Sequence, residues 1–180
     1  MNFCVGIDPS LVSTGVSVCW ENGKRELSRH GSQPTDGTVA ARMRRYHELT
    51  ASIIRAIPTT QPTLIAIEGY AMRAKGRVCD LAEFGGILRY RLKYEAFKNQ
   101  PRILDVSPST LKQFATGKGN ADKKEMQEAV LRRFNIVCST DEADAFLLSR
   151  LALVYCDLVR PEGAHQKKII EDLRLKGAAG

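Results

Sequence analysis

The sequence predicts one α/β domain in which helices pack on a mixed sheet. Short apolar runs open the chain, helical and strand patterns then alternate, and 180 residues are enough for one hydrophobic core. The composition, 43% hydrophobic and 26% charged, is that of a globular protein rather than a disordered one. We place the domain over residues 1–160 and expect a polar C-terminal tail over 161–180 that could be helical.

The first predicted elements are three strands. The run "NFCVGID" is followed after a turn by "VSTGVSVCWENGKRELSRHG", which indicates two strands joined by a hairpin at the Asn-Gly pair 22–23. Apolar residues at helical spacing from Val39 then predict a long amphipathic helix that stops at Pro58. The β-branched run "TLIAIEGY" predicts a central strand that ends at Glu68.

Helices and strands alternate in the second half of the chain. A helix is predicted over residues 77–98, although the glycine pair 85–86 lowers its intrinsic stability. The run "RILDVSP" predicts a strand, after which Ser107 caps a short helix. The glycine-rich loop "TGKGNADKKE" leads into another helix, and the last core helix is predicted from about Asp141 to Val159.

The overall composition limits the possible partners and compartment. A net charge of +7 favours, without requiring, a polyanionic partner such as nucleic acid. No apolar run approaches the roughly 20 residues that a membrane span needs, and no signal peptide pattern opens the chain. The five scattered cysteines suit a reducing compartment. We therefore expect a cytoplasmic protein without a membrane partner, in a bacterial cell or in a host cell if the protein is viral.

Three acids are predicted in the first turns of the last core helix, and two of them share a face. Ser139 and Glu142 have the spacing of a capping box, which makes Asp141 the second and Asp144 the fifth helical residue. The helix dipole alone favours acids in a first turn. Asp144 shares a face with Asp141 at the rim of an apolar helix, where an unpaired carboxylate is costly. A salt bridge to a nearby arginine is the structural alternative.

Two further acids end predicted strands, Asp8 in the first and Glu68 in the fourth, where each could also be an ordinary turn residue. Strand ends can meet at one edge of a sheet, and a helix packed across them would add its own two acids. Carboxylates crowded in this way repel each other unless hard cations such as Mg²⁺ or Mn²⁺ lie between them. Two such ions roughly 4 Å apart support phosphodiester hydrolysis, so the pattern indicates nuclease chemistry.

Four blocks of the sequence resemble the RuvC-type Holliday junction resolvases, in the form of their bacteriophage members. The blocks are "GIDPSLVSTGVSV", "IAIEGYA", "VSPSTLKQFATGKGNADK" and "DEADAF", and the similarity covers about residues 3–157. The resemblance implies a ribonuclease H-like α/β fold with a mixed five-stranded sheet and helices on both faces. It also implies a homodimeric, Mg²⁺-dependent endonuclease that resolves four-way junctions, and could cut other branched DNA, by paired phosphodiester hydrolysis.

The resemblance also implies roles for individual residues. Four acids fall on the family's metal-binding positions and are called the acidic quartet below: Asp8, Glu68, Asp141 and Asp144. Two Mg²⁺ ions per active site are implied, with Mn²⁺ as a substitute. Lys112 and Lys123 fall on the basic residues near the active site and are expected to take part in catalysis. The expected DNA-binding residues are Tyr70, Arg73, Lys75, Arg77, Lys112, Lys118 and Lys123.

The chain departs from the better-known cellular members after Glu68. Those members place an aromatic residue three positions after the strand-end glutamate, but here Ala71 occupies that position and Tyr70 is the nearest aromatic. The basic residues that follow could track phosphates or form a solvated loop. A strict sequence preference is therefore not expected. The glycine pair 85–86 lies in the family's dimer helix, where it would allow close approach, although packing on its own sheet would also explain it.

The sequence is also compatible with three other functions. The first block also resembles the phosphate-binding hairpin of actin-like ATPases and sugar kinases, but those enzymes need two such halves and this chain has one. No nucleotide cofactor is therefore expected. A ribosomal-RNA-processing nuclease of related fold is the second alternative. A non-catalytic junction-binding module is the third, although such a module ought not to retain all four acids.

Overall fold

Five strands form one mixed sheet in the computed structural model, which describes residues 1–69 and 78–177. The strands are β1 (Phe3–Asp8), β2 (Thr14–Trp20), β3 (Arg25–His30), β4 (Leu64–Glu68) and β5 (Ile103–Val106). Their spatial order is β3-β2-β1-β4-β5, and β2 runs antiparallel to both of its neighbours, β1 and β3. β4 runs parallel to β1, and β5 runs parallel to β4. The predicted hairpin at 22–23 is confirmed, with Gly23 in the left-handed region at φ 90°.

Helices cover both faces of this sheet. Within the described residues they are α1 (Val39–Arg55), α2 (Val78–Tyr94), α3 (Pro108–Thr116), α4 (Lys123–Phe134), α5 (Thr140–Tyr155) and α6 (Ala164–Gly177). The predicted mixed five-stranded sheet with helices on both faces is confirmed. The predicted end of the last core helix at Val159 is wrong, because α5 stops at Tyr155 and Asp157 takes a left-handed φ of 58°.

The sheet separates two apolar layers. All six residues of β1 are buried, and they alternate between the layers. Val5 and Ile7 pack with the apolar sides of α1 and α2, whereas Cys4 packs with α5 and its neighbours. α5 is buried on nearly every side, as expected for a helix that is apolar all round. Its position against β1 and β2 is what places its first turns at the sheet edge.

The segment after Pro161 is helical and packs on the domain. The side chains of Ile169, Ile170 and Leu173 are buried in the same layer as α5. Gln166 is also buried, and its amide donates to the Phe114 carbonyl at 3.2 Å. No helix in the described part of the chain is both long and apolar enough to cross a membrane.

Candidate active site

Asp8 and Glu68 lie side by side at one edge of the sheet. β1 and β4 are parallel neighbours whose register pairs Ile7 with Ile67, so the next residue of each strand is one of these acids. The two carboxyls share a hydrogen bond. Asp8 is only 9% exposed, which is unusual for an aspartate. The predicted meeting of the two strand ends is confirmed.

α5 can lie directly on β1 and β2 because two strand residues are glycines. A Cβ built on Gly6 would stand 2.0 Å from the Ala145 carbonyl oxygen, and one on Gly15 would stand 2.1 Å from the Asp141 carbonyl oxygen. Both distances are far below any real contact, so no side chain fits at either position. The glycines therefore set the approach that brings the acidic first turns of α5 to the strand ends.

The N-terminus of α5 has the predicted capping box. The Ser139 hydroxyl accepts from the Glu142 N–H at 3.3 Å, and the Glu142 carboxylate accepts from the Ser139 N–H at 2.8 Å. The Ser139 hydroxyl also donates to Glu142 Oε2 at 2.6 Å, and this bond, followed by the one from the Ser139 N–H, holds the pKa of Glu142 below its usual range. Glu142 is therefore engaged at the cap, whereas Asp141 and Asp144 interact electrostatically with Asp8.

Burial and mutual repulsion disfavour the charged forms of Asp8, Glu68 and Asp144. Burial raises the pKa of Asp8 well above its ordinary value, and the charge of Glu68 raises it further. The pKa of Glu68 is raised first by burial and then by the charge of Asp144. For Asp144, burial followed by the charge of Asp8 raises the pKa to about 7. The site therefore holds more negative charge than its surroundings compensate.

The donor atoms of the acidic quartet are of the kind that binds a hard cation. Asp144 Oδ1 is buried and has no hydrogen-bond partner within the described residues. As the side chains of residues 1–69 and 78–177 stand, no three or more His, Cys, Asp or Glu side chains are arranged to hold a metal ion. The features that favour a cation here are the mutual approach of the carboxylates and the unpartnered Asp144 Oδ1. Oxygen ligands of this kind suit Mg²⁺ or Mn²⁺.

Two of the predicted lysines lie beside the acids. Lys123 is the first residue of α4, and its Nζ lies 3.5 Å from Asp141 Oδ1. Its charge favours the ionised forms of Asp8, Glu68 and Asp144. Lys112 of α3 acts in the same direction on Glu68 and Asp144.

The other predicted DNA-binding residues are placed differently. Lys118 is exposed in the loop between α3 and α4, with its Nζ 3.8 Å from Glu125 Oε1. Four of them lie outside the described residues: Tyr70, Arg73, Lys75 and Arg77. Gly85 is buried, but Gly86 is exposed, and a Cβ there would meet nothing within 4 Å. The structure therefore places the first glycine of the pair on the buried side of α2 and the second on its exposed side.

Two structural features that position the acidic quartet were not predicted from the sequence. The fit of Gly6 and Gly15 against α5 had a signal in the sequence, since glycine inside a buried strand often marks a close backbone approach. The second support is Arg89 of α2, which donates to the Glu68 carbonyl oxygen at 3.2 Å. No sequence signal pointed to this contact, because it joins residues 21 positions apart and depends on the tertiary fold.

A mixed sheet flanked by helices, with acids at two parallel strand ends and on the helix that crosses them, defines a nuclease of the ribonuclease H-like class. A family model described as crossover junction endodeoxyribonuclease RuvC matches residues 4–154. The chain therefore belongs to the RuvC family of crossover junction endodeoxyribonucleases, which are Holliday junction resolvases. This family depends on divalent metal ions.

Individual relatives agree with this assignment. Crossover junction endodeoxyribonuclease RuvC of Mycobacterium ulcerans is 26% identical over 157 residues, covering 84% of this chain and 82% of the relative. The protein of the same description from Haemophilus influenzae strain Rd is 29% identical over 151 residues, covering 83% and 77%.

Two solved structures share the fold. Thermus thermophilus RuvC superposes with a TM-score of 0.63 at 19% identity, over 87% of this chain and 96% of the other. T. thermophilus RuvC in complex with a Holliday junction substrate gives 0.62 at 20% identity, over 83% and 91%. At these identities the structures support the fold alone.

Proposed function

We propose that the acidic quartet is the catalytic centre with which this chain resolves four-way DNA junctions, and that it holds two Mg²⁺ ions, for which Mn²⁺ can substitute. The observation that carries the proposal is the convergence of four carboxylates at one sheet edge, where burial and neighbouring charges raise the pKa values of Asp8, Glu68 and Asp144 and one buried oxygen is left without a partner among the described residues. Such a cluster is costly for folding, and binding of hard cations would offset the cost.

The residues of the acidic quartet would hold the metal ions next to the scissile phosphate. Bound ions would supply Lewis acidity at the phosphate and lower the pKa of an attacking water. Asp8 and Glu68 would fix the ions against the rigid sheet edge, and the two acids of α5 would close the site from the helix side. The orphaned Asp144 Oδ1 provides a ligand atom that no other described group engages.

The two lysines would act on the negative charge that develops during cleavage. The Lys123 side chain is 69% exposed and reaches the rim of the site, so its ammonium group can approach a phosphate while remaining near Asp141. Lys112 lies near Glu68 and Asp144. A cation placed where the transition state gains negative charge lowers the barrier, because the ground state carries less of that charge.

Binding of the junction would use further basic residues and two copies of the chain. We assign phosphate contacts to Lys118, Arg73, Lys75 and Arg77, and stacking on a base at the junction to Tyr70. Paired cutting of two strands needs two active sites, and the exposed, open position of Gly86 on α2 suits a helix that approaches a second copy. Because many phosphates would be neutralised, affinity should fall steeply with salt.

The decisive experiment compares substrates and maps the cuts. Synthetic four-way, three-way and linear DNA, together with a structured RNA, are incubated with the protein in Mg²⁺ or in EDTA. We expect symmetric nicks near the branch point of the four-way junction in Mg²⁺ only, and much slower cutting of linear DNA and RNA. Preferred cleavage of RNA would favour the RNA-processing alternative, and binding without any cleavage would favour the non-catalytic one.

A matched variant connects the activity to the quartet. Asp144→Asn should bind the four-way junction with an affinity within about threefold of the wild type, while its cleavage in Mg²⁺ falls below detection. Asp172→Asn, which changes an exposed aspartate of α6, is the control and should leave both unchanged. Undiminished cutting by Asp144→Asn would remove the quartet from the mechanism.

A further inference from the structure

The guanidinium group of Arg89 joins three elements next to the acidic quartet. From α2 it donates through Nη2 to the Glu68 carbonyl oxygen at 3.2 Å. Nε and Nη2 both donate to Asp105 Oδ1 of β5, at 2.9 and 2.6 Å. Nη1 donates to the Gly85 carbonyl oxygen within α2 at 3.1 Å. The side chain is 17% exposed, so these bonds are partly shielded from water.

The peptide group between Glu68 and Gly69 is held at both of its polar ends. Its carbonyl oxygen accepts from Arg89, and its N–H, which belongs to Gly69, donates to the Val106 carbonyl oxygen at 2.8 Å. The register between β1 and β4 stops one residue earlier, at the pair of Ile7 and Ile67. The catalytic end of β4 therefore extends past its pairing with β1 and is held on its other side, by the Glu68–Val106 pairing with β5 and by the bond from Arg89.

We propose that Arg89 is a positioning residue for Glu68, a role that rests on the function proposed above. By fixing the plane of the Glu68-Gly69 peptide, the guanidinium limits rotation of the backbone that carries the Glu68 side chain. The carboxylate is thereby aimed at Asp8, with which it shares a hydrogen bond. Asp105 holds the guanidinium in place from the neighbouring strand.

Arginine is suited to this position because of its geometry. A planar group with five N–H donors can serve the Glu68 carbonyl, the Asp105 carboxylate and the Gly85 carbonyl at once. A lysine carries one nitrogen on a flexible stem and cannot keep all three bonds. Arg89→Lys should therefore recover only part of the function that Arg89→Met loses.

Arg91 provides a matched control on the same helix. Its side chain is also 17% exposed, and it donates to Glu95 Oε2 and to the His47 carbonyl oxygen, both at 2.9 Å. The bond to Glu95 is local and the bond to His47 ties α2 to α1, so neither reaches β4. Arg91→Met should therefore cost a comparable amount of stability without disturbing Glu68.

The test compares Arg89→Met with Arg91→Met in two kinds of measurement. For Arg89→Met we expect kcat for four-way junction cleavage to fall about 10- to 100-fold with KM within twofold, because a displacement of about 1 Å in a reacting group can cost about 100-fold. Independently of activity, the Mn²⁺ concentration that half-maximally raises Tm should increase several-fold. For Arg91→Met, kcat and the Mn²⁺ midpoint should stay within twofold of the wild type. Equal effects of the two substitutions on kcat and on the Mn²⁺ midpoint would overturn the proposal.

A second variant keeps the idea testable if Arg89→Met does not fold. Asp105 is 61% exposed, so Asp105→Asn should fold while weakening its hold on Arg89. We expect a three- to tenfold loss of kcat, and a wild-type kcat would overturn the proposal. Glu68→Gln separates the two claims: if it still cuts, the proposed function fails, and if it is inactive while Asp105→Asn is fully active, only the role of Arg89 fails.

Discussion

Asp144→Asn should make the metal-free protein more stable at pH 8 while removing its activity. The pKa of Asp144 is raised from 3.8 to about 7, mainly by burial. Between these values the folded state binds more protons than the unfolded state, so the free energy of unfolding falls as the pH rises from about 4 to about 7. Above pH 7 the full penalty is present. Asparagine has nearly the same shape and stays neutral, so it carries no such penalty.

The size of the effect follows from the shift. At about 1.4 kcal/mol per pH unit, a shift from 3.8 to about 7 corresponds to at most about 4 kcal/mol. Local relaxation and water access reduce this, and we expect a gain of about 1–2 kcal/mol. For a chain of 180 residues this is a rise in Tm of about 2–8 °C. A gain in stability with a loss of activity is a common result of neutralising a catalytic acid.

Thermal unfolding in EDTA at pH 5 and pH 8 measures this prediction. Asp144→Asn should unfold at a higher temperature than the wild type at pH 8, and the difference should shrink by more than half at pH 5. Asp172→Asn should change Tm little at either pH. Adding Mg²⁺ at pH 8 should raise the Tm of the wild type more than that of Asp144→Asn. A lower Tm for Asp144→Asn at pH 8, or a difference as large at pH 5, would refute the reasoning.

Two further predictions concern the surroundings of the quartet. Lys123→Ala and Lys112→Ala should each lower the rate of single-turnover cleavage about 10- to 100-fold. The free energy of unfolding should change by only about 0.5 kcal/mol. A fall in Tm with normal cleavage by the folded fraction would contradict the catalytic role of these lysines. Gly15→Ala should lose about 1–3 kcal/mol in urea unfolding together with most of the cleavage, because its Cβ would stand 2.1 Å from the Asp141 carbonyl oxygen. Equal urea midpoints for Gly15→Ala and the wild type would show that α5 can shift without cost.

Local signals were sufficient to predict how the acidic helix begins. The capping box of Ser139 and Glu142 spans only four consecutive residues and can be recognised from the sequence. It fixed where the helix begins and therefore placed Asp141 and Asp144 in the first turns. The end of the same helix was not predictable in this way. Asp157 takes a left-handed φ of 58° without being glycine or asparagine, and the apolar pattern continues past it to Val159.

The convergence of the quartet could be anticipated only in part. Strand ends of a sheet meet at one edge, which made it reasonable to place Asp8 beside Glu68 once both were recognised as strand ends. The closeness of α5 depends on a fit between Gly15 and the backbone of Asp141, residues that are far apart in the chain. The hydrogen bond from Arg89 to Glu68 likewise depends on how α2 lies on the sheet. Contacts of this kind leave no periodic pattern in the sequence.

The most direct test is a crystal structure of the protein grown or soaked with Mn²⁺, with anomalous data collected near the manganese absorption edge. We predict two anomalous peaks, each in contact with carboxylate oxygens of the quartet and one of them with Asp144 Oδ1. Mn²⁺ bound elsewhere on the chain, with the carboxylates of Asp8, Glu68, Asp141 and Asp144 free of metal at saturating concentration, would contradict the account.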